Sequence, residues 1–585
     1  MHGAWTLVWS ELKADLARAL EAAGLSTPER LARLDFAIPR DSSHGDWTSN
    51  LCMLIAREAG RPPRALAEEL QRHYPYDRGI VGSVEVAGPG FLNFRYAESF
   101  LAGLPARILE EGAAFGDSDF GGGERVLVEF VSANPTGPMN VVSARAAAVG
   151  ATLVALLNAA GWEAASEFYV NDAGNQVDLL GASLASRFAA RVGIERPLPP
   201  EGYQGEYLND LAAQLPVDEA RAHLAGADGD AWFRDQALDR MVAWQRRDLE
   251  AYGVTFDRWF RESVLHASGE VTATLEALEA RGAVYRATRP TGVSEAARAR
   301  VHREEGAASG VAEATWLRTH DHGDDMDRVV IRADGRPTYL LPDLAYHRDK
   351  RRRGFRRAIN LWGPDHHAYV GTLTAALAAL GLEPDFLRVL IVQQVNLMRA
   401  GQPVKMSKRR GEFDTLSDLV DEVGPDGARF FFLMRSCSAH LDFDLDLARR
   451  QNDENPAFYV QYAHARIASI RRLASERGLT PADGPGAPLA APEELALVRR
   501  LATFPEVVRG AAAALEPQRL PTFLVETAAE FHRFYHACRV VSDDVTLSRH
   551  RLRLCSAAQQ VLRNGLALMG VSAPERLERE AESVS

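Results

Sequence analysis

The stretch Arg125–Gly161, RVLVEFVSANPTGPMNVVSARAAAVGATLVALLNAAG, constrains the fold more than any other part of the chain. Its opening run is apolar and β-branched, of the length a buried parallel strand needs, and it breaks at Asn134-Pro135 and Gly137-Pro138, both turn signals. From Ala144 the residues are good helix formers with apolar positions on several faces. Ser143 is placed to cap the first turn and Gly161 to stop the last. Strand, tight turn and buried helix make the first half of a Rossmann-type unit. A helix N-terminus there carries free N–H groups and a positive dipole end, which suit a phosphate. Taken alone, the stretch fits better a strand-turn-helix unit that binds nothing, as most such units in α/β proteins do.

A chain of 585 residues, 46% hydrophobic and 25% charged, has the length of about three or four domains and an ordinary globular composition. Cys52, Cys437, Cys538 and Cys555 are scattered, with no CxxC pair and no ligand spacing. Neither a disulfide framework nor a zinc site is suggested, and a reducing cytoplasm fits. The N-terminal MHGAWTLVWSELKADLARAL has charges within its apolar pattern and reads as an amphipathic helix rather than a signal peptide. No uninterrupted apolar run of membrane-spanning length is found. The net charge of −12 argues against a general nucleic-acid binder, yet leaves room for RNA on a local basic patch.

Residues 1–115 read as a small α/β domain: helical periodicity to about Gly24, a polar turn at Ser42–Asp46 before an apolar helix, then the alternating VEVAGPGFLNFRY. Glycine-rich GDSDFGGGE, 116–124, makes a natural boundary. Residues 116–450 are expected to hold the parallel-sheet domain, with Leu179 to about Ala280 mostly helical. There Phe256, Trp259 and Phe260 recur at helical spacing and read as core rather than a base-stacking platform. Residues 287–312 look like an exposed insertion. Residues 451–585 read as an all-α bundle, divided by the low-complexity linker Ser475–Glu493.

Several residues can carry chemistry. Arg328–Arg332 reads as a strand, Asp334-Gly335 as a hairpin turn, and a helix follows. Tyr339 and Asp343 converge on one site if that helix starts between them; otherwise they are a satisfied tyrosine and a capping aspartate. HRDKRRRGFRRAIN, the most basic run, is either a solvated helix face or a nucleic-acid contact. Asp365-His366-His367 should lie at the carboxyl edge of the sheet, and two adjacent histidines are no metal site by themselves. VKMSKR, Val404–Arg409, puts two lysines on a loop where mobile ammonium groups can meet a triphosphate.

EFVSANPTGPMN, SARAAAVGATLVALLNAAGW and EFYVNDAGNQ, in that order, resemble the nucleotide-binding core of bacterial arginyl-tRNA synthetases. SANPTGP at Ser132–Pro138 and YVNDAGNQ at Tyr169–Gln176 match letter for letter. The likeness extends through AGPGFLNF, VKMSKR and the C-terminal LRNGLALMGVSAPERL, and so covers nearly the whole chain. The class I signature, usually His-x-Gly-His, departs from the pattern: its histidines fall on Asn140 and Ser143 and its glycine on Val142.

The resemblance implies an α/β fold: a Rossmann-type catalytic domain (116–450), an N-terminal tRNA-elbow domain (1–115) and a helical anticodon-binding domain (451–585). It implies that Glu129, Ser132, Asn134, Tyr339 and Asp343 hold arginine. Gly137, Pro138, Val142, Asp365, His366, Met406 and Ser407 would border ATP, with Lys405, Lys408, Asn140 and Ser143 as the catalytic set. Tyr462, Arg466, Phe534 and Arg539 would meet tRNA(Arg). The expected activity is ATP-dependent ligation of L-arginine to its tRNA through an arginyl-adenylate. Mg²⁺ would arrive on ATP, with no tightly bound protein-ligated metal, no membrane, and a cytoplasmic monomer. The alternative is a non-catalytic or impaired paralogue that binds tRNA or arginine. Losing one phosphate donor typically costs about 2.7 to 4 kcal/mol, and Val142 fills space that glycine would leave for adenine.

Overall fold

The computed structural model describes residues 7–39, 41–226, 228–294, 313–404, 415–484 and 490–577. The chain divides into two compact units: Gly123–Asn158 with Trp162–Arg449, and Met1–Gly122 with Ala159–Gly161 and Arg450–Ser585.

The first of these is built on a parallel sheet of five strands: β1 Arg125–Glu129, β2 Glu163–Val170, β3 Arg258–Arg261, β4 Arg357–Trp362 and β5 Leu387–Ile391. Their spatial order is β5-β4-β1-β2-β3, so the chain runs outward one way from β1 and then returns to its other side. This reversal opens a crevice at the carboxyl ends of β1 and β4, where open α/β sheets bind ligands. Val126, Leu127 and Val128 are all buried, as a central parallel strand covered on both faces requires. Glu129 stands at the carboxyl end, in register with Asn360 on β4 and Glu167 on β2.

Helix α1, Val141–Ala159, follows the β1 turn and is apolar nearly all round. By length and composition it could cross a membrane, although Ser143, Arg145, Thr152 and Asn158 interrupt its apolar run; its most apolar window is 67% buried within the fold, as for a core helix. It lies hard against the Phe130 ring. A Cβ on Gly150 would sit 2.1 Å from that ring, so only glycine permits this approach.

The aromatic segment beyond Leu179 corrects the helical reading. Trp259 and Phe260 lie on β3, and their alternation puts them on opposite faces: Trp259 stacks on Phe168 at 4.1 Å, while Phe260 meets Tyr169 and Tyr346. A short strand of bulky residues can mimic an i, i+3, i+4 stripe. Both rings still pack inward. The helices Asn175–Arg191, Tyr207–Ala213, Val217–Ala225 and Gly229–Ala251 share a core that includes Leu184, Phe188, Phe233 and Met241. Of the 287–312 insertion, 295–312 lie outside the described residues.

In the second unit, Trp47–Ser49, Phe91–Tyr96 and Val81–Ala87 form an antiparallel sheet with helices Val8–Ala22, Leu51–Ala59 and Pro63–His73. Its other part is all helical: Pro456–Glu476, Pro492–Ala502, Phe504–Ala514, Arg519–Ala537 and Val545–Leu568. The two parts are joined by Asn564 Nδ2, which donates to the carbonyls of Gly112 and Phe115 at 2.9 Å, and by Trp9 N–H, which donates to Glu506 at 2.9 Å.

Candidate active site

The turn after β1 is strained. Val131 and Ser132 adopt φ of 68° and 41°, left-handed values that cost a non-glycine residue about 1–3 kcal/mol each unless neighbours enforce them. The neighbours are present. Ser132 Oγ donates to Glu129 Oε1 at 3.2 Å and accepts the Tyr169 N–H at 3.1 Å. Further along, Gln245 Nε2 donates to the carbonyls of Asn134 (3.1 Å) and Gly137 (3.0 Å), and the Tyr207 hydroxyl donates to that of Thr136 at 2.5 Å. Asn134 Nδ2 meets Gln176 Oε1 at 3.0 Å. The SANPTGP loop is thus clamped by side chains about forty to a hundred residues downstream, which no local pattern announces.

At the altered signature, Asn140 Oδ1 accepts the Ser143 N–H at 2.8 Å. Asn140 caps α1, and Ser143, expected to do so, is the third helical residue whose N–H is satisfied. The amide oxygen is occupied by the cap, which leaves Nδ2 as the donor. Asn140 is exposed, and Val142, Ser143, Gly137 and Pro138 are half-buried. Arg145, two residues beyond Ser143, is fully buried and donates to the carbonyls of Gln393, Ser436 and Ala439 at 2.8–2.9 Å.

Lys405, Met406, Ser407 and Lys408 lie outside the described residues. The chain re-enters at Thr415, which forms a β-bridge with Asn140, and Leu416 N–H donates to the Met139 carbonyl at 2.8 Å. Thr415 also opens the next helix, Leu416–Leu433, with a capping box to Asp418.

Across the crevice, helix α2, Leu340–Arg352, starts between Tyr339 and Asp343. Tyr339 is 70% exposed at the rim, its ring 5.4 Å from that of Tyr369. Asp343 does not cap the helix: its Oδ2 accepts from the Tyr369 hydroxyl at 2.8 Å. Burial pushes the Asp343 carboxyl up to about 7; the Tyr369 hydrogen bond opposes this, and the charges of Glu129 and Glu262 add to it. Glu262 is likewise raised, by burial first, against a hydrogen bond from Tyr169. Glu129 and Glu262 thus both lie within electrostatic reach of Asp343, a setting that favours a cationic ligand.

Most arginines of the basic run are exposed or half-buried, as on a solvated face, while Lys350 and Arg353 turn inward. Lys350 is fully buried and its Nζ lies 2.6 Å from Glu129 Oε2; Arg353 grips Glu167 through two contacts of 2.7 and 2.8 Å. Arg348 and Arg352 pair with Glu270, Arg351 with Glu383, and Arg356 and Arg357 with Glu124. Lys350 and Arg353 thereby tie the run to β1 and β2. Sequence reasoning could not see this, because the carboxylate partners are distant in the chain.

Asp365 and His366 form an exposed pair, 3.5 Å apart, just past the carboxyl end of β4. Among the described residues no group of three or more His, Cys, Asp or Glu could hold a metal ion. In the helical bundle, Arg466 lies over the rings of Tyr462 and Tyr535, 5.4 Å from each. A nearby cavity of about 550 Å³ is lined by Tyr459, Glu493, His532, Arg533 and His536. Arg539 is exposed, with Nε on the Val541 carbonyl at 3.1 Å. Phe534 corrects the expectation of a tRNA contact: it is 0% exposed, its ring enclosed by the bundle and out of a nucleotide's reach.

Three family models match: the arginyl tRNA synthetase N terminal domain over residues 10–96, the class I (R) tRNA synthetase catalytic domain over 107–429, and the DALR anticodon binding domain over 460–577. The arginine–tRNA ligase of Bacillus licheniformis is 40% identical over 97% of this chain and 98% of its own, and that of Moorella thermoacetica 43% over 96% and 97%. The solved Thermus thermophilus arginyl-tRNA synthetase superposes with a TM-score of 0.74 at 22% identity, covering 98% of this chain and all of that one, a likeness of fold. On the matched domains and these full-length identities, the chain belongs to the arginyl-tRNA synthetase family of class I aminoacyl-tRNA synthetases.

Proposed function

We propose that the protein ligates L-arginine to its tRNA through an arginyl-adenylate. The observation that supports this reading is the carboxylate cluster of Glu129, Asp343 and Glu262, with Glu129 at the carboxyl end of β1. A guanidinium is planar, always charged and a fork of donors, which matches fixed carboxylates better than a point ammonium does. Glu129 and Asp343 take the guanidinium, Tyr339 closes over it at the rim, and Ser132 and Asn134 hold the α-amino end. ATP lies over Gly137, Pro138 and Val142 toward Asp365 and His366, bringing Mg²⁺ on its phosphates.

The arginine carboxylate oxygen attacks the α-phosphate, the bond to the β-phosphate breaks, and pyrophosphate leaves with the electron pair. A ribose hydroxyl at the tRNA 3′ end then attacks the activated carbonyl, AMP departs, and the hydroxyl proton is lost. The protein aligns these groups and stabilises charge on phosphate oxygens in flight. Asn140 Nδ2, the Ser143 hydroxyl and the ammonium groups of Lys405 and Lys408 are the donors. Residues 1–115 and 451–585 hold the tRNA at its elbow and anticodon side, Tyr462, Arg466 and Arg539 among them. The proposed working form is a cytoplasmic monomer.

The altered signature supports one competing reading, a paralogue that binds tRNA without charging it. Incubation with tRNA, ATP and labelled arginine decides: charged tRNA above a no-enzyme control is expected, and tRNA binding without product would establish the binding protein instead.

A further inference from the structure

Lys350 has no sequence signal separating it from its exposed neighbours, yet three groups enclose its ammonium. These are Glu129 Oε2 at 2.6 Å, Asn360 Oδ1 at 3.1 Å, and the Tyr346 ring with its centroid at 4.1 Å. Asn360 is itself oriented. His347 Nδ1 donates to the Asp343 carbonyl at 2.8 Å, so Nε2 is free to accept from Asn360 Nδ2 at 3.2 Å, and Oδ1 must then face the lysine. Burial, and then the nearby Lys350 charge, hold His347 well below the usual imidazole range and therefore neutral. A continuous chain of contacts links the Glu129 carboxylate to the backbone of Asp343.

Glu129 has two oxygens with different duties. Oε2 is taken by the ammonium. Among the described residues Oε1 receives only the Ser132 hydroxyl, itself pinned by the Tyr169 N–H, and keeps acceptor capacity for a ligand. Asp343 is within electrostatic reach of this carboxylate and of Glu262, and Glu167 on the adjoining strand is paired to Arg353. A fully buried ammonium is costly unless its partner needs it there.

We propose that Lys350 is a positioning residue that sets amino-acid specificity: it locks the Glu129 carboxylate with Oε1 turned to the substrate guanidinium and offsets one of the three carboxylate charges. This rests on the reading of Glu129 as an arginine partner. One oxygen fixed in direction takes a single N–H of the planar guanidinium and leaves the rest of its fork to Asp343, whereas a freely turning carboxylate would accept the ammonium of lysine or ornithine almost as well.

The test is tRNA-charging kinetics, with arginine and ATP varied separately, for the unaltered protein, Lys350→Met, Glu129→Gln and the double variant. Lys350→Met should raise the arginine KM on the order of a hundredfold and narrow the arginine-over-lysine preference, with the ATP KM within about twofold. In the Glu129→Gln background the same change should alter the arginine KM by less than about threefold, because Lys350 acts through Glu129. Losses that multiply in the double variant, or equal shifts in both KM values, would overturn the proposal. If Lys350→Met alone does not fold, comparing Glu129→Gln with the charge-free double variant still decides. Absence of charging by the unaltered protein would remove the functional reading and this proposal with it, whereas charging with multiplying losses removes the proposal alone.

Discussion

The side-chain oxygen of Asn140 lies 2.8 Å from the backbone nitrogen of Ser143, so the first residue of the departed signature is spent, in half, on capping helix α1. The other half of the amide, Nδ2, is the proposed phosphate donor. Asn140→Asp separates the two duties, since a carboxylate caps as well but donates nothing. Its unfolding free energy should stay within about 0.5 kcal/mol of the parent while adenylate formation falls about 10²–10³-fold. Asn140→Ala should lose about 1 kcal/mol of stability as well. Denaturant melts beside tRNA-supported pyrophosphate exchange read both, and a fully active Asp variant would exclude the Nδ2 role.

Restoring the family pattern with Asn140→His, Val142→Gly and Ser143→His is expected to bring little gain, because the cap that Asn140 supplies is weakened. A rise of orders of magnitude in arginine activation would instead identify a disabled site.

Asp343 gives a pH dependence whose sign follows from its raised position. With the carboxyl near 7 and the guanidinium charged throughout, only the ionised form binds. The arginine KM should therefore fall about tenfold per pH unit on the acid side of 7 and level off above 8. Tyr369→Phe removes a hydrogen bond that favours the ionised form, so its inflection should move to higher pH. A flat profile from pH 5.5 to 8.5 would place the guanidinium elsewhere.

Lys408 lies outside the described residues, and its predicted partner is a phosphate of ATP. Lys408→Ala should lower adenylation by about 10²-fold or more, the scale of one lost transition-state donor, with tRNA affinity nearly unchanged. Normal turnover would mark VKMSKR as a relic in this chain.

What the sequence made legible was local and periodic. The apolar β-branched run at Arg125–Glu129, the helix behind it and the glycine at 161 could be read because each is governed by neighbours within a turn or two. The cap went to the wrong residue, Ser143 for Asn140, because both are good caps three apart and only the helix start distinguishes them. Strand β3 was hidden by the spacing of Phe256, Trp259 and Phe260, since four residues carry too little alternation to outweigh a helical stripe. The burial of Lys350 and Arg353 could not be read at all: their carboxylates stand on strands some two hundred residues earlier in the chain, brought near only by the return of β4 to the side of β1. The same holds for Gln245 and Tyr207, whose partners are carbonyls and leave no trace in side-chain pattern.

The most direct test of the central claim is transfer of labelled amino acid to tRNA by the unaltered protein, with arginine and lysine offered in parallel. The account predicts ATP-dependent charging with arginine and a strong preference over lysine, because the fixed carboxylates of the crevice suit a planar fork. Equal use of the two amino acids, or tRNA bound with neither attached, would contradict it.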